Sequence, residues 1–167
     1  MRTRKDSSLR LVDTNIFLCL AFEDPGHLHC GEFLDRTLTE ECKLLLSSIQ
    51  ITELYTPFLR AQDNQGLERM KSEIRKLQPK IRNVDQEIAE MAAELRSTVR
   101  TPEGRWLALA DSIILATAIM EEVDVLYTID TDFAKVNQIK VEAPQMELKE
   151  WIKRYGTEEQ RRITQLL

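Results

Sequence analysis

Hydrophobic positions fall into two rhythms along the chain. Leu9-Arg10-Leu11-Val12-Asp13, Lys43-Leu44-Leu45-Leu46-Ser47 and Val123-Asp124-Val125-Leu126-Tyr127-Thr128 are short, apolar and rich in branched side chains, which predicts strands. The middle run is continuous, as suits a parallel strand covered on both faces. Ile139-Lys140-Val141 is a weaker strand signal. Between these runs the spacing turns helical. Thr14 onward, through Ile16, Phe17, Leu18 and Leu20, reads as a helix that Asp13 or Thr14 can cap, and Asp24-Pro25-Gly26 is a turn. Cys30 to Thr39 carries Phe33, Leu34 and Leu38. The next helix, capped by Ser48, carries Ile51, Leu54, Tyr55, Phe58 and Leu59. Gly66 to Leu77 stops before Pro79 and is so heavily charged that it reads as a solvated surface helix. Asp85 to Arg96 places Ile88, Met91, Ala92 and Leu95 on one face. After the loop Thr101-Pro102-Glu103-Gly104, the stretch Trp106 to Met120 is almost wholly apolar and predicts a buried helix. Leu148, Trp151, Ile152 and Tyr155 predict one more in the tail, with Trp106 and Trp151 as core or interface anchors. Strands alternating with helices imply an α/β fold with a parallel sheet.

The 167 residues suit one domain with a sizeable core, and 43% apolar with 31% charged residues is an ordinary globular mix. Residues 1–8 are basic and polar and read as a flexible lead-in, residues 9–143 as the domain, and residues 144–167 as a helical extension. Three cysteines, Cys19, Cys30 and Cys42, without a C-x-x-C pair argue against a disulfide framework or a zinc knuckle and fit a cytoplasmic protein. No signal peptide or membrane-spanning run is apparent. The net charge of −5 weighs against nucleic-acid binding through one broad basic surface, although an acidic metal site would itself account for part of it. The basic run Lys71 to Arg82 is interleaved with Glu73 and reads first as a solvated face. His27-x-His29 beside Asp24-Pro25-Gly26 reads as loop and helix start.

Asp111 alters this picture. It is the only charge in its apolar stretch, and a carboxylate stripped of water costs several kcal/mol unless something compensates. Read as helical, its neighbours Leu107, Ala108, Ile114 and Leu115 offer nothing, so its partner is a distant base such as Arg96 or a bound cation. Asp13 ends the first strand, Glu53 lies in the first turns of the helix after the second, and Asp130 and Asp132 follow the strand ending at Thr128. In open α/β sheets, functional groups gather beyond the carboxyl ends of the strands. Each acid alone has a plain alternative: Asp13 a helix cap, Glu53 a first-turn acid, Asp130-Thr131-Asp132 a turn. Gathered together they repel one another, and hard Mg²⁺ or Mn²⁺ removes that repulsion while leaving room for a phosphate. The reaction class this implies is phosphodiester hydrolysis. An aspartyl-phosphate enzyme built on Asp130-x-Asp132 would need further catalytic residues downstream, where no acidic pair follows a strand.

Val12-Asp13-Thr14-Asn15-Ile16-Phe17-Leu18 resembles the opening motif of PIN-domain nucleases, and Ile51-Thr52-Glu53-Leu54 their second. Leu109 to Ala118 and Val125 to Phe133 are similar to the third and the last. The size and motif style look most like the VapC-type toxins. The resemblance implies a five-stranded parallel sheet and a Mg²⁺- or Mn²⁺-dependent endoribonuclease acting on RNA. It also implies a homodimer neutralised by a small antitoxin. It makes Asp13, Glu53 and Asp111 metal ligands, with Asp130 or Asp132 as the fourth, and gives Asn15 and Thr128 supporting roles. A PIN-type nuclease of RNA maturation or DNA processing and a non-catalytic PIN-like module are the rival readings.

Overall fold

The computed structural model describes residues 8–39 and 42–165. Of the lead-in read at residues 1–8, residues 1–7 lie outside the described residues, and Ser8 belongs to the first strand instead. Five strands make one fully parallel sheet: β1 (Ser8–Val12), β2 (Cys42–Ser47), β3 (Lys80–Arg82), β4 (Val125–Tyr127) and β5 (Val141–Glu142), in the spatial order β3-β2-β1-β4-β5. The α/β reading and its five parallel strands hold. β1 is central, with Leu11 and Val12 fully buried between the buried Leu45 and Leu46 of β2 and Leu126 of β4. From β1 the chain winds outward to β3, then returns to pair β4 on the other side of β1. That reversal opens a crevice between the carboxyl ends of β1 and β4, where open α/β sheets place their ligands.

The described helices are α1 (Thr14–Ala21), α2 (His27–Thr39), α3 (Ser48–Arg60), α4 (Asn64–Leu77), α5 (Gln86–Thr98), α6 (Leu109–Met120), α7 (Leu148–Tyr155) and α8 (Glu158–Thr164), with a 3₁₀ turn at Thr131–Phe133. α1 packs on α2, α3 on α4, and α5 on α6. None is long and apolar enough to cross a membrane among the described residues.

Several elements depart from the sequence reading. β3 escapes an apolar search because it is a three-residue edge strand, Lys-Ile-Arg, whose ends need no burial. Its Lys80 and Arg82 both pair with Glu121, while Lys71 and Lys76 pair with Glu68 and Glu73, so these four charges of the basic run are paired within the chain. α4 is not simply solvated: Leu67, Met70 and Ile74 form a buried stripe beneath its charges. Ser47, not Ser48, occupies the N-cap position of α3, where its backbone N–H donates to Gln50 Oε1. α6 begins at Leu109, three residues later than the apolar pattern suggests, because Trp106 pairs across the loop with Arg100 in an isolated antiparallel bridge. Trp106 is therefore 47% exposed rather than a core anchor, whereas Trp151 is 3% exposed and does anchor the tail.

Candidate active site

Each acidic residue is carried to the crevice by a local feature of the chain. Asp13 sits one residue past β1, in extended conformation, as the N-cap of α1. Its N–H donates to Tyr127 O at 2.8 Å, which prolongs the pairing with β4. Its carboxylate accepts from Thr14 N–H at 2.7 Å through Oδ1 and from the Thr128 hydroxyl at 2.7 Å through Oδ2. The cap and the candidate ligand are thus one side chain, 3% exposed.

Glu53 faces the same edge from the second turn of α3 and accepts from the Thr14 hydroxyl at 2.7 Å. The start of α3 is pinned to β1 by Gln50, whose Nε2 donates to Val12 O at 2.8 Å while its Oε1 accepts from Ser47 N–H at 2.9 Å. Gln50 is fully buried and the sequence reading missed it; the Ser-x-x-Gln spacing before an apolar run was its visible signal.

Asp111 lies in the first turn of α6. The helical neighbours assumed for it at Leu107 and Ala108 are therefore outside the helix. A first-turn position favours a carboxylate through the helix dipole. Burial and repulsion prevail over it: Asp111 is pushed up to about 8, chiefly by loss of water and then by the charges of Asp13, Asp130, Glu53 and Asp132. Arg96 does not relieve it, since its Nε donates to Leu107 O at 3.3 Å. Among the described residues no basic side chain forms an ion pair with Asp111.

Asp130 and Asp132 follow β4. Asp130 caps the 3₁₀ turn, accepting from Asp132 N–H at 2.9 Å, and its own N–H donates to the Thr128 hydroxyl at 3.0 Å. Asn15 Oδ1 receives Ile129 N–H at 3.4 Å. Asn15 and Thr128 thereby tie the end of β1 to the end of β4. The two acids differ in surroundings. The charge of Asp130 bears on both Asp13 and Asp111, while Asp132 lies 3.4 Å from Arg105 Nη2. Arg105 was not singled out from sequence, because a loop arginine carries no periodic signal.

Asp13 is held up at about 7, mainly by burial, with Asp130 and Glu53 adding to the shift and the Thr128 and Thr14 hydrogen bonds opposing it. All five carboxylates therefore share one edge closely enough to repel. Among the described residues, no three acidic, His or Cys side chains close into a formed metal cage. The carboxylates turn instead to the nearest donors: Asp13 to Thr128, Glu53 to Thr14, Asp132 to Arg105. The donor set is all oxygen, and among the described residues Arg105 relieves its repulsion at Asp132 while Asp13 and Asp111 have no basic partner; this is the chemistry that hard divalent cations fit. His27 and His29 lie elsewhere, with His27 Nδ1 3.1 Å from Asp24 O and His29 packed against Trp151 and Tyr155.

The family model for the PIN domain matches residues 10–139, and the chain belongs to that family. No curated protein matches it. Solved structures do. A toxin–antitoxin complex from Klebsiella pneumoniae is 28% identical with a TM-score of 0.61, covering 82% of this chain and 98% of that one. FitAcB from Neisseria gonorrhoeae is 23% identical at TM-score 0.60, covering 79% and 95%. VapC20 of Mycobacterium tuberculosis, a sarcin-ricin loop cleaving toxin, shares the fold at 16% identity and TM-score 0.62, covering 78% and 98%.

Proposed function

We propose that this PIN-domain protein is a Mg²⁺- or Mn²⁺-dependent endoribonuclease that hydrolyses RNA phosphodiester bonds, and that it is the toxin of a toxin–antitoxin pair. The observation that carries the catalytic part is the uncompensated acidic edge, where Asp13 and Asp111 stand at about 7 and about 8 with no cationic partner for Asp111 among the described residues. Carboxylates that costly to gather are expected where a divalent ion is to be held. In this reading Asp13, Glu53 and Asp111 are ligands. Asp130 is favoured as the fourth because its charge reaches both Asp13 and Asp111, whereas Asp132 is paired with Arg105. A bound divalent ion supplies two things here, a bound water of lowered pKa and neutralisation of the phosphate.

The chain's own residues do the rest. Thr128 holds Asp13 Oδ2 by its hydroxyl, which fixes the carboxylate's orientation and favours its ionised form. The Thr14 hydroxyl donates to Glu53 Oε2 and fixes that carboxylate's orientation. Asn15 and Thr128 keep the two strand ends in register, and Gln50 fixes the start of α3, so that acids from four distant segments keep one geometry. Arg105 stands at the rim, its Nε donating to Glu103 at 2.7 Å and its Nη2 3.4 Å from Asp132, with further N–H groups for a phosphate oxygen.

The toxin assignment rests on the likeness to the Klebsiella toxin–antitoxin complex. A small protein partner also has a surface to cover: an apolar groove of about 370 Å³ lined by Phe17, Leu20, Leu34, Phe58 and Met70, beside Phe22 and Leu38, which are 50% and 51% exposed. The reading takes residues 9–143 as the nuclease and residues 144–167 as an addition to it, and the active form as a homodimer in the cytoplasm.

The test is cleavage of single-stranded RNA with Mg²⁺ or Mn²⁺, with EDTA, and by Asp13→Asn and Asp111→Asn. Cleavage that survives EDTA and both substitutions would falsify the catalytic reading. Growth arrest on expression, relieved by co-expression of a small partner, separates a toxin from an enzyme of RNA maturation.

A further inference from the structure

The tail beyond the matched segment is firmly docked. Leu148, Trp151 and Ile152 of α7 are 5%, 3% and 1% exposed. Gly26, at φ +93°, makes room for Trp151 and Tyr155: a Cβ there would lie 2.6 Å from the Trp151 ring. His29 completes the seat against Trp151 and Tyr155. α8 then turns back onto the 3₁₀ turn that contains Asp132.

This docking creates a cleft of about 810 Å³ that opens on the acidic edge. One wall is Asn15 and Leu18 of α1 with Ile129 and Asp130; the other includes Arg154, Thr157, Gln160 and Arg161 of the tail. The cleft thus joins a residue of the candidate ligand set to two arginines that the family match does not include. Among the described residues neither arginine is consumed by a strong ion pair. Arg154 Nη2 lies 3.5 Å from a 55% exposed Glu150, and among the described residues the Arg161 side chain donates through Nε to Gly156 O at 2.9 Å. Both therefore keep donors for a ligand.

We infer that this cleft is a subsite for the RNA strand flanking the cleaved phosphodiester, with Arg154 and Arg161 binding its backbone phosphates. The inference rests on the ribonuclease reading above. It is compatible with a net charge of −5, because it asks for only two positive charges, Arg154 and Arg161, in the cleft that also holds Asp130. A flexible single strand fits such a cleft, because its phosphates can follow the wall while its bases turn to Tyr155 and Leu18.

The experiment measures anisotropy of a fluorescein-labelled single-stranded RNA of about 15 nucleotides, a length that spans such a groove, bound to the full chain in Mg²⁺. An Asp111→Asn background suppresses cleavage. Arg154→Ala and Arg161→Ala are expected to weaken binding roughly threefold to tenfold each. Each should also lower the slope of log affinity against log salt by about 0.7, as for one lost phosphate contact on a single strand. Arg161→Lys should retain most of the binding, and Lys71→Ala, on a paired lysine of α4, should change neither quantity. Affinity and salt slope unchanged in both alanine variants overturn the subsite. So does a loss that Arg161→Lys reproduces together with a lower melting temperature, which marks a packing role. Tighter binding of single-stranded DNA of the same sequence overturns the RNA assignment. Arginine-dependent RNA binding by a wild-type chain that cleaves nothing would keep the subsite and remove the ribonuclease. Cleavage indifferent to both arginines would do the reverse.

Discussion

Replacing Asp111 with Asn should make the metal-free protein more stable while removing its proposed activity. An acid whose folded pKa is raised costs stability wherever the unfolded chain is ionised and the folded one is not. Unfolded Asp111 has its ordinary value of 3.8, and the folded side chain stands at about 8. Below pH 4 both states are protonated and the penalty is absent. It grows as pH rises from about 4 and levels off above about 8. At pH 7 the gap spans about three pH units, or about 4 kcal/mol at 1.36 kcal/mol per unit. Asp111 keeps some contact with water and shares its repulsion with Asp13, so about 2 kcal/mol is the expected effect. For a domain of this size that corresponds to a rise of about 4–8 °C in Tm. The assay is thermal unfolding by circular dichroism of wild type and Asp111→Asn from pH 4.5 to 8.5, in EDTA and in Mg²⁺. The difference should be smallest at pH 4.5, about a quarter of its pH 7 size, open towards pH 8 in EDTA, and narrow in Mg²⁺, because the ion stabilises only the intact site. A variant less stable than wild type at pH 7.5 in EDTA, or a difference that does not change with pH, refutes the reasoning.

Thr128→Val removes the hydroxyl that donates to Asp13 and accepts from Asp130 N–H, so Asp13 should move further up and cleavage should fall by about 10–100-fold, read as kcat and as the Mg²⁺ concentration for half activity. Because Asp13 and Asp111 are held at about 7 and about 8, Mg²⁺ must displace protons there; its affinity should rise from pH 6 to pH 8.5, and calorimetry in two buffers of different ionisation heat should register proton release. Leu54→Ala empties a fully buried site on the helix that carries Glu53 and should cost about 2–5 kcal/mol in urea unfolding. Gly26→Ala should lower the urea midpoint and raise tail proteolysis, since a Cβ meets the Trp151 ring at a residue with φ +93°.

The legible parts of the chain were those where one side chain reports its own surroundings. Leu44-Leu45-Leu46 can only be a covered strand, and a lone Asp111 in an apolar run must answer to something distant. What the sequence concealed is relational. Edge strand β3 has no buried run to betray it, and Trp106 looks like core until its pairing with Arg100 delays the start of α6. The Thr14–Glu53 and Arg105–Asp132 contacts join residues 39 and 27 positions apart, and no local spacing encodes them. Gln50 is the intermediate case, visible as a cap but not as the link to Val12 O. The charge of α4 hid its stripe because long polar side chains surround three apolar ones.

The hydrogen bond from Thr128 to Asp13 spans 115 positions of sequence. One flank of β1 has no strand to pair with until β4 has been made, so the acidic edge cannot assemble before Asp130 and Asp132 have been added. During synthesis at roughly 5–20 residues per second, the first carboxylate would wait several seconds for its neighbours. Loop closure over that length makes this among the slower events of folding. The proposed cutting activity would then appear all at once, in a chain with most of its residues already made. A ribosome completing this protein would not be exposed to a partly active blade.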